Sequence, residues 1–252
     1  SPSRGLGDVY KRQLYNMALA LRREYEITII SFIQEKDACA YELPEDIDYE
    51  VILPYKARIR EVITKAGKPF RRYVKNKQLD MVFYVGAYAG LCGGIHGRRL
   101  KIPRIFCDHG ALLNQWNEIP ARAMRTLGSR FTDKTVVLTK QSENAYYEKF
   151  HYQKGRVITI YNWIDERIKK AAAPYDPDST KILTAGRFSK EKGMNLMVDT
   201  AAALAKKTKD FVWEVYGDGD MFPEIQERIR REGLDENIRL MGLTDQMEAC
   251  YK

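Results

Sequence analysis

Residues 186–193 read GRFSKEKG, and their types and spacing suit the binding of a phosphate anion. A glycine at each end lets a strand turn sharply into a helix. The turn then presents free backbone N–H groups and the positive end of the helix dipole. Arg187 adds a planar fork matched to phosphate oxygens, and Lys192 a movable point charge. An ordinary exposed strand-to-helix turn carrying a few charges would read the same way. Its place at the carboxyl end of a parallel strand, where such sheets hold ligands, favours the anion site. Gly217 and Gly219, in YGDGD at 216–220, would let the backbone approach a ligand closely. A simple turn explains so short a pattern equally well. Asp218 and Asp220 form a D-x-D pair of the kind hard divalent cations accept, but such a pair commonly arises by chance, and no metal is assigned. His109, in CDHG at 107–110, could hydrogen-bond a ligand or cap a helix. His96 and His151 have no comparable setting and are read as structural. Asp108 has no assigned role.

These residues need a scaffold in which strands end beside helix starts, and the hydrophobic pattern supplies one. Leu14, Met17, Ala18 and Leu21 are spaced as the buried face of a helix. Residues 27–33 (ITIISFI) form a continuous apolar strand, as expected when both faces of a sheet are covered. Further strands are predicted at 49–53, 81–85, 104–107, 135–138 and 157–161, with helices between them. Strand and helix taking turns over this length means a parallel, doubly wound α/β sheet. Pro174 and Pro177, with Asp176 and Asp178, mark a polar linker at 166–180. A second α/β series follows: strands at 182–185, 211–216 and 238–241, helices at 194–205 and 222–231, and another helix opening at Gln246. The expected organisation is therefore a first domain over 14–165, the linker, and an incomplete second domain over 181–252.

Composition narrows the class. An apolar share of 44% with 30% charged residues is that of a folded globular protein. Four scattered cysteines without a C-x-x-C pair argue against a zinc site or disulfide framework and fit a reducing compartment. The longest uncharged run, 81–95, is too short to span a membrane and holds four glycines. No secretory signal is recognised, so a cytoplasmic location is expected. The net charge of +8 divides into +11 up to Ala172 and −3 beyond it, which suggests domains with different partners. Residues 55–78 carry nine Lys/Arg against Glu61 alone. Ile59, Val62, Ile63, Phe70, Tyr73 and Val74 recur there at helical spacing, and Pro69 is expected to kink or divide the helix. Such a basic amphipathic helix, near 56–77, suits peripheral contact with anionic membrane at the inner face. A solvated helix packing its apolar stripe on its own sheet is the other reading.

Taken in order, GRFSKEKG, a helix, a strand ending in YGDGD, and NIRLMGLTD resemble the C-terminal domain of glycosyltransferase family 4. VVLTKQSENAYYEKF with VITIYNWID, and LYNMALALRREYEITIISF, are similar to that family's first-domain segments, so the resemblance covers about 14–252. It implies the two-domain GT-B fold with Rossmann-like domains, and a nucleotide-sugar donor as co-substrate rather than a cofactor. Arg187 and Lys192 fall on the family's R-x-x-x-x-K pair, which grips the donor diphosphate and stabilises it as the leaving group without a metal. Gly186, Gly217 and Gly219 fall on its donor loops, Leu243 where the backbone meets the base, and His109 near the histidine that faces the transferred sugar. The implied activity is a retaining transfer to a glycan or lipid-linked acceptor in envelope or exopolysaccharide synthesis.

Residues 5–13 (GLGDVYKRQ) resemble the translation of a sequencing adapter, and 1–13 is set aside as a scar. GLGDV also resembles the glycine-rich loop of glycogen and starch synthases. The family's E-x7-E segment, which holds the sugar hydroxyls, finds no match, so this polypeptide is expected to be inactive alone. Rival readings are a GT-B nucleotide-sugar epimerase, which that segment would discriminate, and a basic nucleic-acid-binding module. Against the latter, no aromatic stacking motif accompanies the charge, and no nucleic-acid partner is expected.

Overall fold

The computed structural model describes residues 6–34, 43–110, 112–162, 176–244 and 246–250, with Lys170 and Pro174. The chain divides into two compact units, Ser1–Asn162 and Trp163–Lys252.

In the first unit, helix α1 (Leu6–Leu21) leads into strand β1 (Ile27–Ser31), which pairs in parallel with β2 (Ile47–Val51). Residues 6–13, set aside in the sequence reading, are helical and continuous with the rest of α1. Strands β3 (Val82–Val85), β4 (Arg104–Asp108), β5 (Lys134–Val137) and β6 (Val157–Thr159) form a second parallel sheet in that order. Helices α4 (Ala87–His96), α5 (Ile119–Arg130) and α6 (Lys140–Phe150) connect them. The main core gathers Phe70, Phe106, Tyr84, Val137, Tyr146 and Val157. The uncharged run at 81–95 is thus β3, a turn and α4. Three of its glycines serve packing: a Cβ on Gly90 would strike the Phe106 ring, one on Gly93 the Tyr84 ring, and one on Gly94 would stand 2.6 Å from the Leu127 carbonyl of α5. Among the described residues, no helix is long and apolar enough to cross a membrane.

The basic segment is two helices, α2 (Ile59–Lys65) and α3 (Gly67–Asn76). The division expected at Pro69 lies instead at Ala66. Pro69 occupies the first turn of α3, where a missing N–H has no intrahelical partner to lose. The apolar stripe also divides. Val62, Phe70 and Val74 are buried in the core, whereas Ile59 and Ile63 face outward.

The second unit is a three-stranded parallel sheet ordered β7 (Lys181–Ala185), β8 (Val212–Tyr216), β9 (Ile238–Gly242). Helix α7 (Met194–Ala205) joins β7 to β8, and α8 (Phe222–Arg231) joins β8 to β9, with α9 (Met247–Cys250) following. Phe188, Met194, Val198, Val215, Ile225 and Leu234 form its own core. Ile225 and Ile229 lie four apart on one face of α8, which is why that helix docks rather than floats. Arg228 on the same helix bridges to Asp199 of α7 and, at 2.8 Å, to Glu232.

Candidate functional site

The turns after β7, β8 and β9 are laced together by backbone hydrogen bonds. The Gly186 N–H donates to the Tyr216 carbonyl at 2.9 Å, Phe188 N–H to Asp218 at 3.0 Å, and Gly217 N–H to Gly242 at 2.8 Å. Phe188 is wholly buried, 4.9 Å from the Phe222 ring. Burying a phenylalanine contributes about 2–3 kcal/mol, so it pins the middle of residues 186–193 to the core and leaves its neighbours to project. The glycines read as ligand-approach positions are used by the adjoining turn. A Cβ on Gly217 would collide with the Gly186 carbonyl, and one on Gly219 would sit 2.5 Å from that of Phe188. Both also have positive φ, 142° and 155°, which L side chains rarely adopt.

Arg187 projects beside this pinned residue. Its Nη2 is 3.7 Å from a Glu191 carboxylate oxygen, while its Nε is buried with no hydrogen-bond partner among the described residues. The Glu191 carboxyl is held below the usual range, chiefly by its own backbone N–H, with the Arg187 and Lys192 charges assisting. Lys192 is exposed and ends a short 3-10 turn, Lys190–Lys192. Gly193 then adopts φ 69°, swinging the chain into α7. Arg187, Lys192 and the amino end of α7 therefore belong to one turn, and together they form a cationic, donor-rich locus. Leu243 follows Gly242 and is 73% exposed. The Asp218 carboxylate accepts the Gly219 N–H at 2.8 Å. Among the described residues, no cluster of three His, Cys, Asp or Glu could hold a metal ion.

His109 lies in the first unit, just past β4. It is half-buried, and that burial lowers its imidazole below the ordinary value, against the raising effect of the Asp108 charge. The residue before it carries a buried carboxylate that accepts three hydrogen bonds. Asp108 is 2% exposed, and its Oδ2 accepts from Arg125 Nε at 2.9 Å and from the Tyr146 hydroxyl at 2.7 Å. Its Oδ1 accepts the Gly110 N–H at 3.0 Å, and Arg125 Nη2 donates to Gln115 at 2.7 Å. Sequence reasoning left Asp108 without a role and did not single out Arg125 or Tyr146. One signal was available. Arg125 sits four residues after Ala121 on the buried face of α5, where a guanidinium must have an anionic partner. His96 is buried and donates from Nε2 to the Val62 carbonyl at 3.0 Å; His151 caps the end of α6 with φ 54°. Cys92 and Cys107 are buried thiols, each pushed up to about 12.

Residues 11–167 match the profile of Glycosyltransferase Family 4, and 179–252 that of Glycosyl transferases group 1. An uncharacterized glycosyltransferase of Haemophilus influenzae is 24% identical over 249 residues, covering 96% of this chain and 67% of that protein. A UDP-N-acetylglucosamine--N-acetylmuramyl-(pentapeptide) pyrophosphoryl-undecaprenol N-acetylglucosamine transferase of Shewanella woodyi is 26% identical over 205 residues, covering 76% and 51%. The chain thus spans between half and two thirds of the length of these relatives. The crystal structure of Anabaena Alr3699/HepE in complex with UDP and glucose matches with a TM-score of 0.70 at 18% identity, covering 99% of this chain and 69% of that one. That likeness establishes the GT-B type of fold, with each unit Rossmann-like. The first profile alone spans well over half of the residues, so the chain belongs to glycosyltransferase family 4.

Proposed function

We propose that the chain binds a nucleotide diphosphate sugar through residues 186–193 and serves the transfer of that sugar to a glycan or lipid-linked acceptor. The observation that carries this reading is Arg187, whose buried Nε has no acceptor among the described residues, in a turn that also offers Lys192 and a helix amino end. A diphosphate supplies the missing acceptor oxygens. As the sugar leaves, charge builds on the departing diphosphate, and these fixed donors stabilise it with no metal required. Leu243, exposed after β9, is assigned to the base. In the first unit His109, whose burial favours the neutral imidazole, is assigned to hydrogen bonding with the transferred sugar. Retention of anomeric configuration is the outcome we assign. The UDP and undecaprenol named for the relatives and solved structures support a uridine nucleotide donor and a lipid-linked acceptor. The outward Ile59 and Ile63 among the basic residues of α2 and α3 support peripheral contact with anionic lipid at the cytoplasmic face.

Isothermal titration of UDP into the chain, with and without EDTA, tests the donor assignment. Saturable binding, indifferent to EDTA and weakened in Arg187→Ala, is expected. Binding that is absent, or equal in wild type and variant, would overturn it.

A further inference from the structure

A charged pair in the core is costly: two ions leave water, and well-packed apolar residues of the same volume often serve stability as well or better. Asp108 and Arg125 form such a pair, with side chains 2% and 4% exposed. Their placement says what the pair does besides fill space. Asp108 closes β4, and the next residue is His109. Three elements send side chains to one point: β4 supplies the carboxylate, α5 the guanidinium and α6 the Tyr146 hydroxyl. The second carboxylate oxygen reaches over His109 to the Gly110 N–H, closing a turn around the imidazole-bearing residue. The guanidinium fills the far side of that turn, since a Cβ on Gly110 would meet Arg125 Nη2. The same nitrogen holds Gln115, further along the loop. Arg125 Nη1 is buried with no partner among the described residues, so the cluster is not saturated by its own members.

We infer that Asp108, Arg125 and Tyr146 form a buried positioning cluster that fixes the backbone turn carrying His109 and thereby the direction of its imidazole. None of the three is a catalytic residue. They act through His109, and the value of that to sugar transfer rests on the function proposed above. The cluster itself stands on geometry within the first unit.

The test reads the turn directly and needs no turnover. The chain has only three histidines, so their imidazole signals can be followed one by one by NMR. Tyr146→Phe keeps the ring in the core and deletes one hydrogen bond to the carboxylate. Asp108→Asn keeps the shape, but the amide cannot satisfy Arg125, Tyr146 and the Gly110 N–H together. In both variants we expect the His109 signals to move or broaden and Gly110 amide exchange to speed up about tenfold, by local opening. His96 and His151 should stay in place. In Asp108→Asn the His109 pKa should also fall, because a charge that raises it is gone. Were Asp108→Asn to unfold, Tyr146→Phe would still read the turn. Unchanged His109 signals and Gly110 exchange in a folded Tyr146→Phe would overturn the inference and reduce the cluster to packing. UDP affinity, which resides in the second unit, should be unaffected by Tyr146→Phe. Loss of UDP binding in the wild type would count against the donor assignment and not against this cluster.

Discussion

Arg187 and Lys192 are both cations of one turn, yet they are held differently, and that difference predicts unequal losses. Arg187 extends from a residue adjoining buried Phe188, is only 32% exposed, and has one donor already withdrawn from water. Charge-assisted hydrogen bonds of this kind contribute about 1.5–3 kcal/mol. Arg187→Ala should therefore weaken UDP binding about 10- to 100-fold, and Arg187→Lys should recover little, because a point charge cannot reproduce the fork. Lys192 is exposed, so Lys192→Ala should cost less, and its contribution should fade as salt rises. Titrations at low and high ionic strength check both. Gly217 makes a different demand. Gly217→Ala would place a methyl against the Gly186 carbonyl at a φ of 142°. It should destabilise the second unit by roughly 2–4 kcal/mol and abolish UDP binding, as seen in denaturant melts and titration together. That Gly186, Arg187 and Lys192 share one turn was legible in the sequence, because they lie within eight consecutive residues. The Asp108 cluster was not, because its partners lie 17 and 38 residues away and meet only when α5 and α6 pack.

The helices α2 and α3 show how packing decides what a pattern leaves open. The strand at 27–33 could be read as a continuous apolar run, and Ile27–Ser31 of it forms β1. The helix break could not be read in the same way. Gly67 opens α3 against the His96 ring, where a Cβ would lie 2.6 Å from Nδ1, and that tertiary contact places the break three residues before the residue that sequence reasoning chose. The outward face carries Ile59 and Ile63 with Arg60, Lys68, Arg72 and Lys75, all exposed. Each basic residue near an anionic surface is worth about 1 kcal/mol. The triple variant Arg60→Glu, Lys68→Glu, Arg72→Glu should lower association with phosphatidylserine vesicles at least about tenfold in flotation assays, with a melting temperature close to wild type. Ile59→Ser with Ile63→Ser should weaken it further at high salt, where only apolar insertion persists. Vesicle binding untouched by the charge reversal would remove this face from membrane contact.

Each unit has its own core, and the histidines are unevenly shared between them. All three histidines, His96, His109 and His151, belong to the first unit, and the second has none. Burial lowers the pKa of His96, outweighing its bond to Val62, and likewise that of His109. A histidine depressed in the folded state binds fewer protons there than in the unfolded chain, so stability rises with pH across that interval. The contribution is complete above the unfolded value, about 6.5, and is lost as pH falls below it. The lowered carboxyls, Glu61, Asp133 and Glu143 in the first unit and Glu191 in the second, act in a separate, more acidic window. Their contribution holds above the unfolded carboxyl range, about 4, and is lost below it. Acidification from pH 7.5 to 5.5 should therefore loosen the first unit selectively. Hydrogen exchange should accelerate at core amides such as Phe70, Phe106 and Val137, after correction for the intrinsic rate, and stay unchanged at Val198, Val215 and Ile225. His96→Gln should blunt the acid response of the first unit, since glutamine keeps an N–H for the Val62 carbonyl but takes up no proton. Equal acceleration in both units would show that the buried imidazoles do not control it.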